Sequence, residues 1–104
     1  MAEEVPYWRL ISILWSSFPL TVDIARRLHG AAYDLYRTDN GVRDLDDDDA
    51  VLSGEVRNLK QTMALGSLVG PAFEAHVETA RGKGTVRFLL THEGMELFGS
   101  PAPN

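Results

Sequence analysis

The side chains best suited to chemistry in this 104-residue chain are three histidines, a run of aspartates and scattered hydroxyls; there is no cysteine. That absence excludes a disulfide scaffold, a cysteine-based zinc site and a thiol nucleophile together. His29, His76 and His92 have no metal spacing, since no two lie within one helical turn. Glu74, His76 and Glu78 would share one face of a strand. Side chains on an exposed strand face rarely converge on one ion, so no metal site is expected. Ser16, Ser17, Ser53 and Ser67 have no partner histidine in a nucleophile pattern. Gly82-Lys83-Gly84-Thr85 looks like part of a phosphate loop, but the glycine spacing ahead of it and the strand-to-helix context are missing. The aspartates at 44 and 46–49 lack the glycine and the closing glutamate of a calcium loop. The residues therefore predict neither an enzyme nor a cofactor.

Charge and length bound the remaining classes. A chain of this length suits a single domain with one core. The net charge is −5, which at first argues against nucleic acid. Asp39, Asp44, Asp46, Asp47, Asp48 and Asp49 account for six of the 15 acidic residues and Arg43 for one of the ten basic ones, so elsewhere nine bases balance nine acids. A neutral remainder can still present a basic face, because local potential outweighs the total. The longest apolar run, residues 7–18, is about a dozen residues, short of the roughly 20 needed to span a bilayer. With an acidic start at Glu3 and Glu4 and no small-residue cleavage site, the expected location is the cytoplasm.

The elements that must position these side chains follow from periodicity. Tyr7, Leu10, Ile11, Leu14 and Phe18 recur at spacings of three and four and predict a helix over residues 7–17, ended by Pro19. Trp8, Ile13 and Trp15 lie off that stripe, so this helix is apolar nearly all round. A second helix is expected over residues 20–36, with Thr21 as N-cap, Asp23 in its first turn and Val22, Ala25, Leu28, Ala32, Leu35 and Tyr36 as its stripe. Gly30 is a point at which it could divide. Residues 38–49 read as a solvated acidic loop. Leu52, Val56, Leu59 and Met63 predict a third helix over residues 50–66. Then the period becomes two. Phe73, Ala75, Val77 and Thr79 alternate with polar neighbours, and residues 85–90 form a second strand across a basic turn at 81–84. Thr91 caps a short helix over residues 92–98. The whole reads as a single domain over residues 1–98 with a flexible tail at 99–104.

The order helix, helix, helix, strand, basic turn, strand, helix resembles the winged helix-turn-helix domain of small PadR- and MarR-like regulators, over residues 20–98. Leu52-Ser53-Gly54-Glu55-Val56-Arg57-Asn58-Leu59, with Gly66-Ser67-Leu68-Val69, is similar to a recognition helix and its exit. Arg81-Gly82-Lys83-Gly84-Thr85-Val86-Arg87-Phe88, running to Leu90-Thr91-His92-Glu93-Gly94-Met95-Glu96-Leu97, is similar to a wing and the helix after it. The departure is the spacing: about twelve mostly acidic residues separate the second and third helices, where a turn of three or four is usual. A rival alignment places the motif within residues 20–37, turning at His29-Gly30, with residues 31–38 as recognition helix.

The resemblance implies an α+β winged helix and a DNA-binding transcriptional regulator. Arg57, Asn58, Lys60 and Gln61 would face bases in the major groove. Arg81, Lys83 and Arg87 would touch phosphates from the wing, and Arg26 and Arg27 would clamp one from the second helix. These bases are few for a monomer, and a homodimer would double them. Tyr7, Trp8, Ile11, Trp15 and Phe18 are the expected dimer or partner surface. The alternative is a protein-interaction module, an adaptor or small inhibitor, working through the apolar first helix and the acidic loop.

Overall fold

The computed structural model describes residues 11–46, 53–80 and 82–91. Its one helix among them, α1 (Val22–Thr38), starts where the capping chemistry predicts. Thr21 Oγ1 accepts from the N–H of Ile24 at 3.2 Å, and Asp23 sits against the positive end of the dipole, bridged to Arg27 at 3.3 Å. Gly30 does not divide it. The helix ends at Asp39, which takes a left-handed conformation (φ 59°). Ala25, Leu28, Ala32 and Leu35, spaced by three and four, form its buried stripe, while Tyr36 is half exposed.

Everything else regular is strand: β1 (Ile11–Ser16), β2 (Val42–Asp46), β3 (Ser53–Leu65), β4 (Leu68–Thr79) and β5 (Gly82–Leu90). They form one antiparallel sheet in the order β1-β5-β4-β3-β2. The last four strands are a meander, and α1 carries the chain from the β1 edge across one face to the β2 edge. Under α1 lie Ile11, Val56, Phe73, Ala75, Val77, Val86, Phe88 and Leu90. Phe73 and Phe88 are paired in register and stack with centroids 5.8 Å apart. Burying each of these large side chains contributes about 1.5–3 kcal/mol. Alanines at 25, 31, 32 and 75 leave room for helix and sheet to approach. Gly54 (φ +134°) is held to glycine by contact, since a Cβ there would lie 1.8 Å from the His76 carbonyl oxygen.

This architecture overturns the winged-helix, helix-turn-helix reading. One helix packs on five strands, where three helices and a two-stranded wing were expected. The predicted first helix is strand β1 over its described part. Ile11 faces Leu90 and Ile13 faces Phe88; Leu14 is then the extra residue of a bulge, so that Trp15 faces Arg87. The bulge breaks alternation and leaves apolar residues three apart, which is helical spacing. The predicted recognition helix is strand β3, and the same cause operates. Asn58 faces Phe73 and Thr62 faces Pro71, so three residues of β3 oppose one of β4. Val56 and Leu59 thus sit three apart on a strand. Within the expected loop, β2 pairs along β3 from Val42 opposite Arg57 to Asp46 opposite Ser53, anchored by buried Leu45. The expected wing survives only as the β4–β5 hairpin. The expected helix at 92–98 and the tail lie outside the described residues. None of the described helices is long and apolar enough to cross a membrane.

Candidate functional site

One face of the sheet is covered by α1. Side chains alternate across a strand, so register decides which residues share the other face. Glu74 on β4 faces Arg57 on β3 and Arg87 on β5; beyond them Arg57 faces Val42 and Arg87 faces Trp15. Five strands thereby contribute one row: Val42, Arg57, Glu74, Arg87 and Trp15. The neighbouring row is Asp44, Glu55, His76 and Thr85, and the next holds Ser53, Glu78 and Lys83. On the other side, Ser12, Leu89 and Ala72 are buried, so the accessible part of the face begins at the Trp15 row.

Glu74 is the hub of that face, with its side chain 16% exposed. Arg87 Nε donates to its Oε2 at 2.7 Å, and His76 Nε2 lies 3.1 Å from its Oε1. His76 Nδ1 lies 3.2 Å from Thr85 Oγ1. A neutral ring protonated on Nε2 satisfies both contacts, donating to Glu74 and accepting from the Thr85 hydroxyl. The Arg87 guanidinium holds the Glu74 carboxyl below the usual carboxylate range; partial desolvation opposes it and His76 adds a smaller pull downward. Arg57 is bonded along its own strand to Glu55 at 3.0 Å. Trp15 is 54% exposed, an unusual degree for a tryptophan.

Thr85, His76 and Glu74 have the connectivity of a hydroxyl–imidazole–carboxylate relay. Two features argue for structure over nucleophilic chemistry. Glu74 is already neutralised by Arg87, which weakens its support of the ring. The Thr85 N–H, the nearest donor for a developing oxyanion, is committed to Ser17 Oγ at 2.9 Å. An open depression of about 410 Å³ lies beside this network, with His76, Glu78, Lys83 and Thr85 in its wall. Among the described residues, no three histidine, aspartate or glutamate side chains gather as a metal site.

The residues expected to bind DNA are dispersed. Arg57, Lys83 and Arg87 share the open face. Arg26 and Arg27 belong to α1, in the layer on the other side of the sheet. Lys60 lies in the β3 bulge, bound to Asp39, and Asn58 is spent locally, its Oδ1 accepting from the Lys60 N–H at 2.9 Å. Gln61 is exposed further along β3, and Arg81 lies outside the described residues. Arg27, Arg57, Lys60 and Arg87 each hold a carboxylate of this same chain.

The expected interface residues divide as well. Ile11 and Phe18 are core, Trp15 alone of the described ones is exposed, and Tyr7 and Trp8 lie outside the described residues. Sequence reasoning passed over Val42, Glu55 and Thr85 as site residues. Alternation at Glu74, His76 and Glu78 was the available signal for the face, but nothing local names the strands beside it. No family model, curated protein or solved structure matches the chain.

Proposed function

We propose that this chain is a non-enzymatic protein-binding module, and that its recognition surface is the open face of the sheet. The observation that carries the reading is the half-exposed Trp15 in register with the Arg87, Glu74 and Arg57 row. Tryptophan and arginine are the residues most enriched among those that dominate binding energy. Here each arginine is bonded to a carboxylate of its own chain, Arg87 to Glu74 and Arg57 to Glu55, which removes part of the freedom it would lose on binding. At the β2 end of the face, Asp44 stands directly opposite Glu55, whose charge Arg57 already meets, so a basic partner side chain would be received chiefly by Asp44. The partner expected is a protein that presents an apolar or aromatic group to Trp15 and a lysine or arginine to Asp44. The core closes without any disulfide, and we place the module's action in the cytoplasm.

The test is site-specific photo-crosslinking in cells from position 15, with position 26 on α1 as control. One protein captured from position 15 only is expected. Its purified complex should weaken at least about 30-fold with Trp15→Ala, the size of a hot-spot loss. Equal capture from both positions, or a complex indifferent to Trp15→Ala, would overturn the reading. Retention of random duplex DNA at about 50 mM salt, falling steeply as salt rises, would favour a nucleic-acid partner instead.

A further inference from the structure

Strand β2 ends the sheet, and among the described residues no strand lies along its outer edge. The register fixes which main-chain groups that edge offers. The N–H of Asn58 donates to the Gly41 carbonyl, and these two residues stand opposite each other one step before the Val42–Arg57 pair. Bonded and non-bonded pairs alternate along an antiparallel ladder. Arg43 and Leu45 are therefore the residues bonded to β3, and the N–H and C=O of Val42, Asp44 and Asp46 point to the open edge. Side chains divide in the same way. Arg43 is bridged to Asp34 of α1 and Leu45 is buried, whereas Val42 and Asp44 are exposed on the open face.

Charge on an edge ordinarily blunts it against pairing. Its sign decides against which strands. An aspartate repels a strand that brings a carboxylate opposite it and favours one that brings a cation. The nearby arginines are already committed, Arg43 to Asp34 and Arg57 to Glu55. Asp44 has no ion-pair partner among the described residues. The chain also continues through four more aspartates at 46–49, which add negative potential close to Asp44. The apolar stretches 62–65 and 68–71 carry no charge that would select an occupant.

We infer that the β2 edge takes an extended segment of a partner protein as an added antiparallel strand, with a lysine or arginine opposite Asp44 and an apolar residue opposite Val42. This rests on the open face being a protein-binding surface, and it names the form in which the partner's cation reaches Asp44. In such strand addition the main-chain bonds supply affinity and the alternate side chains supply selectivity.

The probe is the peptide acetyl-Thr-Lys-Thr-Lys-Thr-Val-Thr-amide, whose second lysine falls opposite Asp44 when its valine falls opposite Val42. Titrated into the isotope-labelled whole chain, it should shift the Val42 and Asp44 amides saturably, with a dissociation constant on the order of 1 mM. It should also slow hydrogen exchange at the Asp44 amide, which in the free chain exchanges faster than that of Leu45. Asp44→Asn should weaken binding about 3-fold, the scale of an exposed ion pair. Methylating the main-chain nitrogen of the second lysine removes the donor to the Asp44 carbonyl and should weaken binding at least about 5-fold. Trp15→Ala should leave it unchanged, since Trp15 lies four strands away, about 19 Å. The inference is overturned by the absence of a saturable shift up to about 5 mM peptide, several times the expected constant. Equal binding of a peptide with glutamates in place of the lysines, or of the methylated peptide, overturns it too. Binding lost with Trp15→Ala would move the contact to the open face, overturning the edge inference and leaving the proposed recognition surface standing.

Discussion

Lys60 and Asp39 are bound to each other, and both are held at positive φ, 57° and 59°. Lys60 Nζ donates to Asp39 Oδ1 at 2.6 Å and to the Asp39 carbonyl oxygen at 2.8 Å. Asp39 ends α1 and Lys60 is the crest of the β3 bulge, so one side chain ties the helix end to the sheet. The N–H of Asn58 donates to the Gly41 carbonyl at 2.7 Å and strengthens the same junction. A left-handed conformation costs a side-chain-bearing residue roughly 1–2 kcal/mol. At position 60, glycine removes that cost and loses the ion pair, while valine keeps the conformation at a higher cost. Lys60→Gly should therefore match or exceed the wild type in urea unfolding, most clearly near 1 M salt, where surface pairs are screened. Lys60→Val should be less stable by about 1–2 kcal/mol. Equal stability of the two variants would show that the bulge does not hold this conformation in solution.

Two glycines should respond in opposite directions to alanine. Gly30 lies in the exposed middle of α1, and a Cβ there would meet nothing within 4 Å. Gly30→Ala should stabilise by about 0.5–1 kcal/mol, the helix-propensity difference. Gly54 has a φ of +134° and no room for a Cβ against His76. Gly54→Ala should cost more than about 2 kcal/mol, because strand β3 must move away from β4. Denaturant midpoints check both, and a stabilised Gly54→Ala would contradict the β3–β4 register.

The Glu74 carboxyl titrates below its usual range because Arg87 donates to it. A depressed folded-state value means that Glu74 stabilises the fold above its unfolded pKa. That contribution disappears as pH falls through the folded value, on the acid side of about 4.3. Arg87→Met should raise the Glu74 titration, since the opposing desolvation stays, and should move acid unfolding to higher pH. Carbon-detected NMR of the carboxyl follows the first effect and circular dichroism the second. An unmoved Glu74 titration would break the hub of the open face.

Core and recognition surface should separate cleanly. Phe88 is fully buried against Phe73, and Phe88→Ala should cost about 3–5 kcal/mol. Trp15 is on the open face and half exposed, so Trp15→Ala should cost less than about 1 kcal/mol in stability while removing the proposed binding anchor. Thermal unfolding of the two variants distinguishes them.

Part of this fold follows from local rules. The cap at Thr21 and the stripe at Ala25, Leu28, Ala32 and Leu35 specify α1, because capping and a period near 3.6 are properties of one segment. The alternation from Phe73 to Thr79 and the apolar run to Leu90 specify β4 and β5. Strands β1, β2 and β3 depend instead on long-range pairing. In β1 and β3, bulges at Leu14 and at residues 59–61 replace alternation by gaps of three, so strand and helix become indistinguishable from spacing. The choice between them falls to main-chain pairing with β5 and β4, distant in sequence. β2 is strand because β3 lies beside it, whatever its aspartates prefer in isolation. The candidate site has the same origin. Val42, Arg57, Glu74, Arg87 and Trp15 span 73 positions of chain and become neighbours only through register, which no local pattern encodes.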